Sequence, residues 1–203
     1  MKKILSIILI FICILFTGCS YSVPENDLKQ PHTYDEILEY AKTLDSNAIV
    51  EKEYTEVEEE YKTFRIWKAK INNIDCEVAS VSDVIYDNSI GEFSKTFYKP
   101  DTSYDFIIIN KTLINYPELG TITDSTLNRF HINDLVCSDI YLNDINKEKL
   151  ESLWKSYLSI NKELQPYNLH KDYWLCIHIN NDSYYFTKID QQEYQNVYDS
   201  IFK

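Results

Sequence analysis

The chain has 203 residues, a formal charge of −12 at neutral pH and 44% hydrophobic residues. That charge argues against nucleic acid as a partner, because such binding rests on neutralising phosphates, and against a domain lying flat on anionic lipid. Beyond residue 18 the only glycines are Gly91 and Gly120, too few for a phosphate-cradling loop, a dinucleotide fingerprint or a serine nucleophile elbow.

Met1-Lys2-Lys3 opens the chain with two basic residues, and Ile4 to Phe16 is almost unbroken apolar sequence. A core of that length falls short of the roughly 20 residues needed to span a bilayer. A basic start, a short apolar core and small residues after it describe an export signal. The segment Leu15-Phe16-Thr17-Gly18-Cys19 resembles the lipobox of bacterial lipoproteins, with Phe16 at the place usually held by leucine. The resemblance covers the signal alone. It implies residues 1–18 as a cleaved signal peptide and a diacylglycerol on Cys19, giving a membrane-anchored domain facing outside the cytoplasm. Losing Lys2 and Lys3 takes the formal charge to about −14. Residues 19–30 show no apolar periodicity and read as a tether. At roughly 3.3 Å per residue it reaches on the order of 40 Å from the bilayer.

Residues 31–203 read as one extracytoplasmic domain. Thr33 and Glu36 form a capping box, and Tyr34, Ile37, Leu38, Ala41 and Leu44 follow on one helical face. Strand-like runs cover 48–57, 61–71 and 74–82. The turn between the last two falls on Asn72-Asn73, since asparagine tolerates the left-handed backbone of a two-residue hairpin. That turn sets Ile71 opposite Ile74, Ala69 opposite Cys76 and Trp67 opposite Val78. It also sets Lys70 against Asp75 and Lys68 against Glu77, so like faces like and charges oppose. Six glutamates between Glu51 and Glu60 suit a solvated strand face.

Residues 91–99 suggest another strand. Residues 106–116 suit either a helix capped near Ser103 or, through Ile107-Ile108-Ile109, a strand; the helix is preferred. Short extended pieces between 120 and 142 have no evident order. Leu150, Leu153, Trp154, Tyr157 and Leu158 mark a helix that stops at Pro166. A second hairpin joins 173–179 to 184–189, and a last helix opens on Asp190 and Glu193 as a capping box. Helices flanking hairpins without regular alternation indicate an α+β fold, a single domain of antiparallel β-hairpins with three or four helices.

Chemistry-bearing groups are sparse. With Cys19 lipidated, Cys76, Cys137 and Cys176 remain, so at most one disulfide forms, and there is no Cys-x-x-Cys for redox or zinc-ribbon chemistry. Asp75-Cys76 resembles the Asp-Cys of a family of cell-wall cysteine peptidases, but there the cysteine opens a helix. Here Glu77-Val78 follow in a strand, and an adjacent carboxylate raises a thiol pKa. Cys176 and His178 share a strand face, with His170 a few residues earlier. They are the candidate nucleophile and base of an envelope hydrolase. Two ligands without a second paired motif give no expectation of a metal or other cofactor. His131, Asp134 and Asp139 are a further, chance-level grouping. Trp174, Tyr184 and Tyr185 form a candidate platform for a glycan or peptide. The leading expectation is a non-enzymatic binding module at the cell envelope, engaging a protein or glycan partner.

Overall fold

Thr33 caps the first helix as its sequence requires. Its hydroxyl accepts the Glu36 backbone N–H, and the Glu36 carboxylate returns to the Thr33 N–H at 2.6 Å, giving helix α1 over Tyr34–Leu44. The computed structural model describes residues 25–59, 61–87, 93–130 and 135–203. The signal segment, Cys19, His131 and Asp134 lie outside these.

A four-stranded antiparallel sheet follows, in the order β1 (Ile49–Glu59), β2 (Lys62–Ile71), β3 (Ile74–Asp87) and β4 (Phe93–Thr102). Asn72 and Asn73 both take positive φ (48° and 62°), and the resulting register pairs Ile71 with Ile74, Ala69 with Cys76, Trp67 with Val78, Lys70 with Asp75 and Lys68 with Glu77, as the sequence predicts. Trp67, Ala69, Ile71, Cys76 and Val78 turn to the main core with Ile37 and Ala41 of α1. Phe64, Ile66, Ala79 and Val81 turn to a second cluster under Phe130. The alternation of a strand thus serves two cores.

The segment 106–116 resolves to helix. Helix α2 spans Tyr104–Leu113 and starts at Ser103, but no side-chain cap bond forms. The Ser103 hydroxyl instead accepts the Glu77 N–H of β3 at 2.9 Å. Isoleucine in a row is tolerated because α2 packs against β3 and the long fourth helix; burial of Phe106, Ile108, Ile109 and Leu113 outweighs the weak helix propensity of β-branched residues. A single-turn helix α3 (Thr126–Arg129) precedes strand β5 (Leu135–Leu142), which sequence alone does not order.

The second sheet departs from the expectation of antiparallel hairpins throughout. Helix α4 (Lys147–Leu164) is a crossover, and β5 runs parallel to β6 (Asp172–Ile179); β7 (Asp182–Phe186) then pairs antiparallel with β6. A parallel neighbour requires such a crossover, and 18 helical residues supply it. Leu150, Leu153, Trp154, Tyr157 and Ile160 of α4 are buried, Trp154 and Tyr157 against Phe186. Each such side chain contributes about 1.5–3 kcal/mol through burial. Helix α5 (Gln191–Phe202) closes the chain. Its capping box is half formed: Asp190 accepts the Glu193 N–H at 2.8 Å, but Glu193 turns back to the Thr187 hydroxyl and the Lys188 N–H. Among the described residues this makes seven strands in two sheets and five helices, an α+β fold.

The stretch read as tether is shorter than its composition suggests. Glu25–Asp27 form a 3-10 turn, Leu28 bridges to Phe97, and the Lys29 N–H donates to the Thr96 carbonyl at 2.9 Å. Residues 28 and 29 therefore cover part of the free edge of β4, satisfying backbone groups that an edge strand leaves unpaired.

Candidate functional site

The second sheet has an inner face against α4 and α5 and an outer face away from them. Strand alternation assigns Tyr173, Leu175 and Ile177 of β6 to the core, where all three are buried. Trp174, Cys176 and His178 then point outward. Pairing places Cys137, Asp139 and Tyr141 of β5 beside these three in turn, and Tyr185 and Ser183 of β7 on the other side of Cys176 and His178. One sheet face thus carries two cysteines, a histidine, a carboxylate, a serine and three aromatic residues.

At its centre three donors meet. Cys176 Sγ lies 3.3 Å from His178 Nε2, and the same nitrogen lies 2.9 Å from Asp139 Oδ1. The three ligand atoms all fall within 4.8 Å of one another. The other ring nitrogen, Nδ1, is 2.9 Å from the Ser183 hydroxyl. Tyr141 stacks on the imidazole, with centroids 4.5 Å apart and planes 10° from parallel. Cys176 is 1% exposed, whereas the Asp139 side chain retains 46% of its surface. Burial pushes the Cys176 thiol up, and the Asp139 carboxylate adds to the shift. Burial likewise raises Cys137, to about 12.

This arrangement differs from a cysteine–histidine hydrolase. In such a dyad one ring nitrogen takes the thiol proton while an acidic group orients the ring through the other. Here thiol and carboxylate both address Nε2, and a hydroxyl holds Nδ1. Cys176 also sits in the middle of a strand, not at the helix N-terminus that would lower a thiol pKa. What the geometry does offer is a sulfur, an imidazole nitrogen and a carboxylate oxygen converging on one point.

Sequence reasoning paired Cys176 with His178 but grouped Asp139 with His131 and Asp134. Asp139 joins the pair because the parallel register sets it directly beside Cys176. A strand–helix–strand reading of 135–179 was the signal that would have found it. His170 is not part of the site. It lies before β6, with its N–H on Asp105 Oδ2 at 2.8 Å and its Nδ1 4.0 Å from Asp105 Oδ1. The aromatic platform is corrected too: Trp174 and Tyr185 share the outer face, but Tyr184 pairs with Ile177 and packs into the core.

Gly120 sets the far edge of the site. Its φ is +77° and ψ −161°, a region held almost wholly by glycine. A Cβ there would stand 2.6 Å from the Asp139 carbonyl oxygen. The close approach lets Thr121 bridge to Asp139 from the side opposite β6. A small polar cavity of about 180 Å³ opens there, lined by Cys137, Asp139, Thr123 and Asn128 among others.

Two other concave regions compare poorly. A groove of about 600 Å³ on the first sheet is bordered by the ion pairs of Lys70 with Asp75 and of Arg129 with Glu77 and Asp124, and by Glu51 and Lys68. Its Cys76 is pushed up to about 11 by burial. A smaller one at the start of β6 holds a buried ion pair, Lys171 with Asp101, beside Asp105. Comparison with family models, with curated proteins and with solved structures finds no match for the chain.

Proposed function

We propose that this chain is a lipid-anchored, extracytoplasmic binding module that engages its ligand on the outer face of β5, β6 and β7. The observation carrying the binding role is the convergence of Asp139, Cys176 and His178 on one accessible sheet face, with thiol and carboxylate sharing a single imidazole nitrogen. Such a trio presents lone pairs to a common point and supplies no free base for its own sulfur. The anchor rests on the lipobox around Cys19. Two acyl chains, each methylene contributing about 0.8 kcal/mol, hold a domain at a bilayer without a spanning helix.

The hydrolase reading, with Cys176 attacking and His178 or His170 as base, is disfavoured by the buried sulfur and by the place of His170, before β6 and against Asp105. Two measurements test the proposal. Cys19→Ser is expected to abolish lipid-dependent processing and membrane retention; unchanged retention would overturn the anchor. In the folded protein Cys176 is expected to resist iodoacetamide at neutral pH. Alkylation faster than that of a free thiol, slowed by His178→Gln, would turn the argument toward catalysis.

A further inference from the structure

We propose that Asp139, Cys176 and His178 form a binding site for a divalent transition-metal ion of the zinc class. The inference rests on the outer-face binding role above and names its ligand.

Three observations support it. The first is the donor set. A cysteine sulfur, an imidazole nitrogen and a carboxylate oxygen suit zinc and its neighbours rather than magnesium or calcium, which prefer all-oxygen shells. The second is spacing. With bonds of about 2.3 Å to sulfur and about 2.0–2.2 Å to nitrogen and oxygen, tetrahedral corners lie roughly 3.3–3.6 Å apart. The observed Sγ–Nε2 separation is 3.3 Å and the Nε2–Oδ1 separation 2.9 Å, so small rotations about χ angles open the trio around an ion. The third is the surrounding shell. A metal on Nε2 fixes the proton on Nδ1, and the Ser183 hydroxyl at 2.9 Å is placed to accept it. Tyr141 holds the ring plane by stacking. Each strand involved is pinned by its neighbours: β6 is the central strand, and β5 is bridged by Thr121 on its other side.

Binding releases the Cys176 thiol proton to solvent and leaves the neutral imidazole with its proton on Nδ1, so that a thiolate, a neutral imidazole and a carboxylate are the ligands. Three protein ligands leave a fourth position for water or a further donor, on the exposed side where Asp139 lies.

The test uses the full chain purified in detergent, with zinc followed by calorimetry and cobalt(II) by absorption. The expected result is one zinc per chain and a thiolate-to-cobalt charge-transfer band. Cys176→Ser is expected to remove the band. Asp139→Asn and His178→Gln are expected to weaken zinc more than tenfold, and Ser183→Ala about tenfold. Circular dichroism and thermal melts establish that each variant is folded. Asp139 and His178 retain exposed surface, so their variants serve if Cys176→Ser does not fold. The proposal is overturned if zinc binds no better than calcium. It is overturned equally if the band survives Cys176→Ser, which would assign it to another cysteine, or if Asp139→Asn and His178→Gln leave affinity unchanged. Membrane retention does not involve the site, and alkylation is read on metal-stripped protein, so the present proposal and the binding role it rests on fail on different measurements.

Discussion

Strand β6 carries a polar cluster at each end, and the two are built for opposite purposes. At its start, Lys171 is 6% exposed and its Nζ reaches Asp101 Oδ2 at 3.0 Å, with the Thr102 and Arg129 carbonyls at 3.5 Å. Asp105 Oδ2 accepts the N–H groups of both His170 and Lys171. These bonds tie the second sheet to the end of β4, to α2 and to α3. Towards the other end, Cys176 and His178 meet Asp139 on an open face. The same residue classes thus serve as a buried clamp between elements in one place, and as a cluster on a more exposed sheet face in the other. Proximity of acid and base distinguishes nothing; burial and the type of donor do.

The largest effect should come from breaking the clamp. Lys171→Met strands the Asp101 carboxylate in a buried position, and removing one partner of a buried ion pair costs about 3–5 kcal/mol. Chemical denaturation should show that loss, whereas Asp139→Asn at the exposed side of the other cluster should shift the midpoint little. A comparable loss from both would erase the distinction.

Gly120→Ala should come next. It combines an unfavourable backbone region with a Cβ against the Asp139 carbonyl, for about 2–3 kcal/mol. The damage falls at the β5 edge, so zinc affinity should drop with stability. Lys171→Met, in chains that remain folded, should leave affinity nearly intact. Equal zinc binding in wild type and Gly120→Ala would show that the Thr121 bridge does not position Asp139.

The smallest effect sharpens the clamp through pH. Burial raises both Asp101 and Asp105, against the lowering influence of Lys171 and, for Asp105, of His170 and two backbone N–H groups; Lys99 lowers Asp101 further. Their folded values exceed those of the unfolded chain. Between the ordinary aspartate value near 3.8 and the folded value, the native protein binds more protons than the unfolded one. Stability therefore falls as pH rises through that window. Asp105→Asn keeps an oxygen for the two N–H groups and removes the titrating proton. Its melting temperature should gain on wild type as pH rises from acidic to neutral. A constant difference would place the slope elsewhere.

The fold was legible where local signals agreed. Thr33 with Glu36, Asn72-Asn73 and the opposed charges around them define α1 and the β2–β3 register without tertiary information. Legibility ended where long-range pairing decides. Nothing local in Leu135–Leu142 shows that it lies parallel to Asp172–Ile179, and so nothing local brings Asp139 to Cys176. The Cys176–His178 pair was readable because period-two alternation is local; its third member was not. Tyr184 and Tyr185 show the same rule: adjacency in sequence puts them on opposite faces of β7.

The bridge between Leu28 and Phe97 has a mechanical consequence. If Cys19 carries the proposed lipid, only residues 20–24 separate it in sequence from the turn at Glu25–Asp27. A stretch of that length reaches at most about 20 Å, at about 3.3–3.6 Å per residue. On the proposed anchoring, the lipid would moor the domain by the β4 side of its first sheet, and a partner of the Asp139–Cys176–His178 face would meet it in the shallow layer directly above the membrane.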